Sequence, residues 1–296
     1  MLSTTVGGVW VLQALLGVES MPAALRLKPF IPSAHGEGIV ETDQGLRPLN
    51  QTGEYLALVQ AGVIDAAGAV DEMVRDWMTV LGRAERQVVL TVRHPVPAGA
   101  DDDTDDDGAA LRPAGRTLVI CRHRRWLAMA ARDGDAMVIA PVGESDDPAE
   151  QAELMCRTLI PALGEAVPAD IEGVNVPADE VTATLQAAAP YGRQGATNAL
   201  ARLGLPPATV AAVIAAHDDT ASAMAVVSVL DRVGTDRRLT PHPRVLSVAD
   251  TELGRLSFST TTGADGRGWM SIWPATAEAL HDDLAGLLAA PAPAEA

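Results

Sequence analysis

Along the chain the spacing of apolar residues switches twice from a helical period to an alternating one. Apolar positions at helical spacing predict a helix over 3–18, through Trp10, Leu12, Leu15 and Leu16, with Ser3, Thr4 and Thr5 as capping residues. Pro22, Pro29 and Pro32 forbid a long helix after it, and 33–47 reads as a surface loop. Helical spacing returns over Pro48 to Ala61 and again over Val70 to Leu81, where Met73, Trp77, Val80 and Leu81 share a face. After Gly82 the period becomes two, which predicts strands at Gln87 to His94, Arg116 to His123, Trp126 to Arg132 and Ala136 to Pro141. Asp133-Gly134 supplies the last hairpin turn, and Ser145-Asp146-Asp147-Pro148 caps a helix from about Ala149 to Leu163.

The same plan then begins again. Pro177 to Ala189, Arg193 to Leu203 and Pro206 to His217 read as helices. Ala223 to Leu230, Arg244 to Ala249, Leu253 to Thr260 and Gly268 to Trp273 read as strands, with Asp265-Gly266 at the last turn. Thr276 to Leu288 is a closing helix, and 291–296 reads as a frayed tail. Two similar α+β halves, about 1–165 and 166–290, repeat at a spacing of roughly 130 residues, far longer than a solenoid repeat. The expected fold is therefore a single α+β unit over 1–296 with a pseudo-twofold internal duplication, whose strands merge into one sheet.

The two halves differ in their first connection. In the first half it runs from about 95 to 115 and carries six aspartates within seven positions: Asp101, Asp102, Asp103, Asp105, Asp106 and Asp107. Dense like charge without an aromatic cannot bury enough surface to order itself, so this stretch reads as a solvated insertion between neighbouring strands. Asp103 to Gly108 fits the first half of a calcium loop, D-x-D-x-D-G, but the position where a bidentate Glu would close the site is Ala114. A divalent-cation-binding protein or enzyme using Asp101 to Asp107 is the alternative to weigh. The basic run Arg122-His123-Arg124-Arg125 reads as an ion-pairing counterpart to those aspartates, or as an anion patch.

Composition narrows the function. Among 296 residues, Lys plus Arg number 22 against 39 Asp plus Glu, a net charge of −17, which argues against nucleic acid as a partner because phosphate binding is driven by basic residues. Lys28 is the only lysine and no G-x-x-x-x-G-K-[ST] surrounds it, so a P-loop is absent. There is no G-x-S-x-G, no H-E-x-x-H and no G-x-G-x-x-G after a strand, and no cofactor is implied. Cys121 and Cys156 read as two buried free thiols; Cys121, His123 and His94 lack the paired ligand spacing of a structural zinc site. The apolar stretch from Val6 to Val18 has 13 residues, too few for a membrane span, and lacks the basic flank and cleavage site of a signal peptide. The expectation is a soluble cytoplasmic protein that does not insert into membranes, with exposed strand edges that allow weak self-association.

Several stretches form a recognisable set. In the first half they are Leu2-Ser3-Thr4-Thr5 with Trp10 and Gly17; Ala61-Gly62-Val63-Ile64 with Val70 and Trp77; and the strand Val88 to Val92. In the second half they are Leu246-Ser247-Val248, Asp250-Thr251, Gly254-Arg255, Asp265-Gly266, Trp269-Met270-Ser271 and Pro274. Together they resemble the EspG family, cytosolic secretion-associated chaperones of mycobacterial type VII (ESX) systems. The resemblance covers about the whole chain, and the length and acidity of the Asp101 to Asp107 loop depart from it. It implies a central, mainly antiparallel sheet with two helical bundles, and no enzyme activity. It also implies recognition of PE–PPE heterodimers through the tip of the PPE subunit, keeping an aggregation-prone export substrate soluble and directing it to its secretion machine. In the family the contacts come from a strand-connecting loop, which here is Asp101 to Asp107, from the sheet and from the C-terminal helices. Val226, Ser228 and Leu230, which share one face of a nearly uncharged strand, are the candidate apolar floor of such a groove, with burial in the core as the competing reading.

Overall fold

A computed structural model of the chain describes residues 1–27, 38–42, 45–95, 115–234, 239–263 and 266–290. The chain opens with a strand, β1 (Leu2–Thr5), where a helix start is expected. Thr5 turns it into α1 (Val6–Leu16), its side chain accepting the Gly8 N–H, and Gly17 closes the helix in the left-handed conformation with φ 63°. The described part of 33–47 forms a hairpin, β2 (Ile39–Thr42) and β3 (Gly45–Pro48), where a loop is expected. α2 (Gly53–Gln60) starts at Thr52 and α3 (Glu72–Gly82) at Asp71, both side chains accepting a first-turn N–H.

The alternating segments become β4 (Arg86–Arg93), β5 (Arg116–His123), β6 (Trp126–Asp133) and β7 (Ala136–Glu144), followed by α4 (Pro148–Ala162), capped by Asp147. Gly134 takes φ 59° in the β6–β7 turn, as a two-residue hairpin loop requires. Another unexpected strand, β8 (Val174–Pro177), precedes α5 (Ala178–Ala188), α6 (Gly192–Arg202) and α7 (Pro207–Ala216). Then come β9 (Ala223–Arg232), β10 (Leu239–Thr251), β11 (Gly254–Thr262), β12 (Gly268–Pro274) and α8 (Ala277–Leu288). The tail 291–296 lies outside the described residues.

Ten strands form one antiparallel sheet in the order β1-β7-β6-β5-β4-β9-β10-β11-β12-β8. Counted outward from the central β4–β9 pair, one arm runs through three consecutive strands to the short strand that opens it, and so does the other. Both edge strands have four residues and β8 ends in Pro177, which leaves little edge for another chain to pair with.

The period of two sends alternate residues to opposite faces. On one face Val88, Leu90, Ile120, Val227, Val229, Leu246 and Val248 pack under α4 and α8, together with Met155, Leu159, Leu280 and Leu284. On the other face the helices stand in two groups. One group, α1 to α3, covers Val119, Cys121, Ala130 and Ile139 in the first arm. The other covers the second arm, with Ala212 and Ala216 of α7 against Ala249 and Leu256. The centre of the sheet lies between these groups.

Two arginines tie the arms together. Arg86 on β4 grips Asp231 on β9 with Nε–Oδ1 2.6 Å and Nη2–Oδ2 2.9 Å, and also donates to the carbonyls of Leu288 and Ala290 at the end of α8. Arg255 on β11 grips Asp250 and donates to the carbonyls of Leu163 and Gly164 at the end of α4. Each guanidinium stands on one arm and satisfies the last carbonyls of the helix that follows the other arm. Separating the arms would therefore strip both helix ends of their partners.

Candidate functional site

The site is built on the middle of the sheet, where the helices of the first arm bury Val89, Val119 and Cys121 and leave the facing residues of β9 part-exposed. In an antiparallel pair, directly opposed residues share a face, so the register gives rows across several strands. One row is Thr117 on β5, Thr91 on β4, Val226 on β9 and Ser247 on β10. The next is Val119, Val89, Ser228 and Val245, and a third sets Cys121 and Gln87 beside Leu230. None of these side chains is charged, although the chain carries a net −17.

Burial separates the three candidate floor residues. Ala225, Val227, Val229 and Asp231 are buried on the α4–α8 face, while Val226 and Ser228 on the opposite face are half-exposed and Thr91 beside Val226 is exposed. Val226 and Ser228 thus lie part-exposed on the sheet rather than in its core. Leu230 shares their face but leans against the core of the first arm. Their alternation was legible in the sequence, but which face the helices leave open was not, because the gap depends on where two helical groups stop.

The second element is a groove of about 650 Å³ between α5 and α6, lined by Thr184, Ala187, Ala188, Tyr191, Gln194 and Asn198 among others. Small residues let these helices approach: a side chain at Gly195 would meet the Tyr191 Cβ at 2.5 Å and the Ala188 carbonyl at 2.9 Å. Tyr191 is 76% exposed, a large aromatic held outward at the junction of α5 and α6. It went unnoticed in the sequence; Pro190 before it and Gly192 after it were the signal that it sits in a corner rather than inside a helix.

The other sequence candidates divide. Asp101, Asp102, Asp103, Asp105, Asp106 and Asp107 lie outside the described residues, as does the half calcium loop they contain. The basic run sits in the β5–β6 turn, at the opposite end of the eight-residue β5 from the foot of the acidic loop, a span of roughly 23 Å at the usual rise per strand residue. Its members have partners among the described residues. Arg125 pairs with Glu144 at 3.4 Å and stacks on Trp126, the Arg124 N–H donates to Glu85, and Arg122 reaches Gln151. Cys121 and Cys156 are buried free thiols on opposite faces of the sheet. Burial pushes the Cys121 thiol far above its ordinary range, and burial with the nearby Glu153 charge pushes Cys156 up to about 11. His123 faces Glu85 at 3.5 Å, and among the described residues no three His, Cys, Asp or Glu side chains converge as metal ligands. No helix among the described residues is long and apolar enough to cross a membrane.

With this geometry in hand, the comparisons with known proteins agree with one another. The model of the EspG family matches residues 5–286. The ESX-2 secretion-associated protein EspG2 of Mycobacterium tuberculosis is 30% identical over 270 residues, which cover 90% of this chain and 87% of that protein. EspG5 of the ESX-5 system of the same organism is 29% identical over 285 residues, covering 93% and 88%. EspG3 of Mycolicibacterium smegmatis is 26% identical over 279 residues, covering 93% and 82%. Among solved structures, the Mycobacterium tuberculosis type VII secretion chaperone EspG5, determined in complex with the PE25–PPE41 dimer, superposes with a TM-score of 0.75 over 97% of this chain and 95% of that one, at 24% identity. The chain belongs to the EspG family.

Proposed function

We propose that this chain is a cytosolic, non-catalytic chaperone of type VII secretion. In this reading it recognises PE–PPE heterodimers by the tip of the PPE subunit, keeps them soluble and hands them to the secretion machine. The observation that carries the reading is the uncharged strip of small side chains, Thr91, Val226, Ser228 and Ser247, left open between two groups of helices. An apolar helical tip needs a floor of that kind with a polar rim, because burying a charge without a partner would cost more than the contact returns.

In this proposal Val226 and Ser228 touch the tip, and Leu230 fixes the height of the floor. Tyr191 is a lateral aromatic anchor of the sort that dominates interface energies. Asp101, Asp102, Asp103, Asp105, Asp106 and Asp107 set association rate and salt dependence more than final affinity. The two arms act as one body, since Arg86 and Arg255 each cap the other arm's helix.

Co-expression with PE–PPE pairs, followed by size-exclusion chromatography, tests the proposal. A ternary complex with at least one pair is expected, and its absence with every pair overturns the reading. Val226→Asp combined with Ser228→Arg should leave the fold intact and weaken capture more than tenfold, a loss of about 1.4 kcal/mol or more. Replacing the six aspartates by asparagine should preserve folding and slow association at low salt. Unchanged association would reduce the loop to a spacer.

A further inference from the structure

The outer strands of the second arm, β11, β12 and β8, use one face for the core beneath α5 to α7, where Met270, Ile272 and Val176 pack with Val181 and Leu200. Alternation turns Trp269, Ser271 and Trp273 of β12 the other way, to the face that α8 shares over β10. The register sets Thr261 and Ser259 of β11 opposite Trp269 and Ser271, and Asn175 of β8 on the far side of Ser271. Ser257 meets Asp283 of α8 at 3.4 Å, and that contact marks the edge of the part α8 covers. Beyond it Trp273 is 43% exposed, Thr261 and Asn175 are exposed, and Trp269, Ser259 and Ser271 are part-exposed.

This strip has a definite chemistry. Its six side chains carry no charge on a chain of net −17. Two indoles stand four residues apart on one strand, about 13 Å at the usual rise, with hydroxyl and amide groups between them. Among the described residues no side-chain hydrogen bond engages Ser259, Thr261, Ser271, Asn175 or either indole N–H. The Trp273 ring is held down: a Cβ at Gly173 would meet its ring atoms at 2.1 to 2.4 Å, so only glycine lets the ring lie on that backbone. At about 13 Å by 10 Å, across three strands, the strip offers on the order of 130 Å². A stable pair of folded proteins buries roughly 800 Å² a side, so the strip fits a segment rather than a domain or a second copy.

We propose that this strip binds a proline-rich segment of a partner protein in the polyproline II conformation. Charge complementarity selects an uncharged occupant, because a lone charge pressed onto an uncharged surface loses its water without gaining a partner. Proline lacks an N–H and the polyproline II backbone makes no internal hydrogen bonds, so such a segment presents carbonyl acceptors and few donors. The free hydroxyl, amide and indole groups supply the donors, and the indole faces take the proline rings. At 3.1 Å per residue, about four residues span the two indoles. The strip lies on the opposite face of the sheet from Val226 and Ser228, so it is separate from the proposed PE–PPE floor.

Titration of the full chain with a decaproline peptide, followed by tryptophan fluorescence and calorimetry, tests the site. Saturable binding is expected, with none for a glycine–serine peptide of the same length. Trp273→Ala should weaken it at least tenfold and Asn175→Ala several-fold, while Trp126→Ala, which removes an exposed indole of the first arm, should leave it unchanged. Ser271→Arg keeps both indoles and sets a long charged side chain between them; it should abolish binding in a chain whose circular dichroism is unaltered. Absence of saturable decaproline binding overturns the proposal, as does full binding by Trp273→Ala or Ser271→Arg. Tighter binding of cellohexaose than of decaproline also overturns it, and assigns the strip to a carbohydrate.

Discussion

Removing the carboxylate of Asp231 is the sharpest test of how the two arms are held. The side chain of Asp231 is 4% exposed and that of Arg86 12%, so Asp231→Ala leaves a guanidinium nearly out of water with only the carbonyls of Leu288 and Ala290 for partners. Breaking one side of a buried pair costs about 3–5 kcal/mol, and the two remaining carbonyl bonds place this case near the lower end. A loss of about 3 kcal/mol raises the unfolded fraction more than a hundredfold. Urea denaturation followed by two probes gives the number. The exposed pair Arg116–Asp133, at 67% and 62% exposure, provides the contrast, and Asp133→Ala should cost less than about 1 kcal/mol. A double-mutant cycle with Arg86→Met and Asp231→Leu should return a coupling of about 2 kcal/mol or more, because the double variant leaves no uncompensated buried charge. The double variant should remain less stable than the natural chain, since the end of α8 loses its cap. A loss below about 1 kcal/mol for Asp231→Ala, or a coupling near zero, would refute the argument that the pair locks the arms.

Other predictions are briefer. Arg124 holds φ 56° in the β5–β6 turn, a left-handed conformation that costs a side-chain-bearing residue about 1–2 kcal/mol, so Arg124→Gly should raise the thermal midpoint by a few degrees. His281 on α8 bonds Glu153 on α4 at 2.8 Å, which raises its pKa above the ordinary 6.5. A raised imidazole pKa means that the stabilisation is fully present below the ordinary value and is lost as pH rises through the folded one. The natural chain should therefore exceed His281→Ala in thermal midpoint at pH 5.5, with the difference disappearing at pH 8.5; a gap independent of pH would refute the assignment. Cys156, with its thiol pushed up to about 11, and the fully buried Cys121 should resist a thiol reagent at pH 8 in the folded protein and react promptly in denaturant.

How much of this was legible in the sequence varies with the range of the interaction. The boundaries of β5 and β6, the Asp133-Gly134 turn and the Asp147 start of α4 follow from contacts within a few residues, so period and capping chemistry found them. β1 and β8 escaped because four-residue segments carry too little periodicity, and each becomes a strand only by pairing with a neighbour distant in the chain, β7 or β12. The hairpin over 39–48 escaped because its turn residues look the same as a loop's. Among the candidate site residues, the shared face of Val226, Ser228 and Leu230 was readable, while Tyr191 and Thr91 were not.

By itself, the sequence determined the α+β character, the order of most elements, the strong acidity and the likeness to a known family. These depend on local spacing and on net composition, which survive without coordinates. The tertiary structure alone decided which face of β9 stays open and that Arg86 and Arg255 cap helices of opposite arms. Each of those facts is set by side chains separated by tens to hundreds of residues in the chain, such as Arg86 and Leu288, and no spacing rule records where two distant groups come to rest.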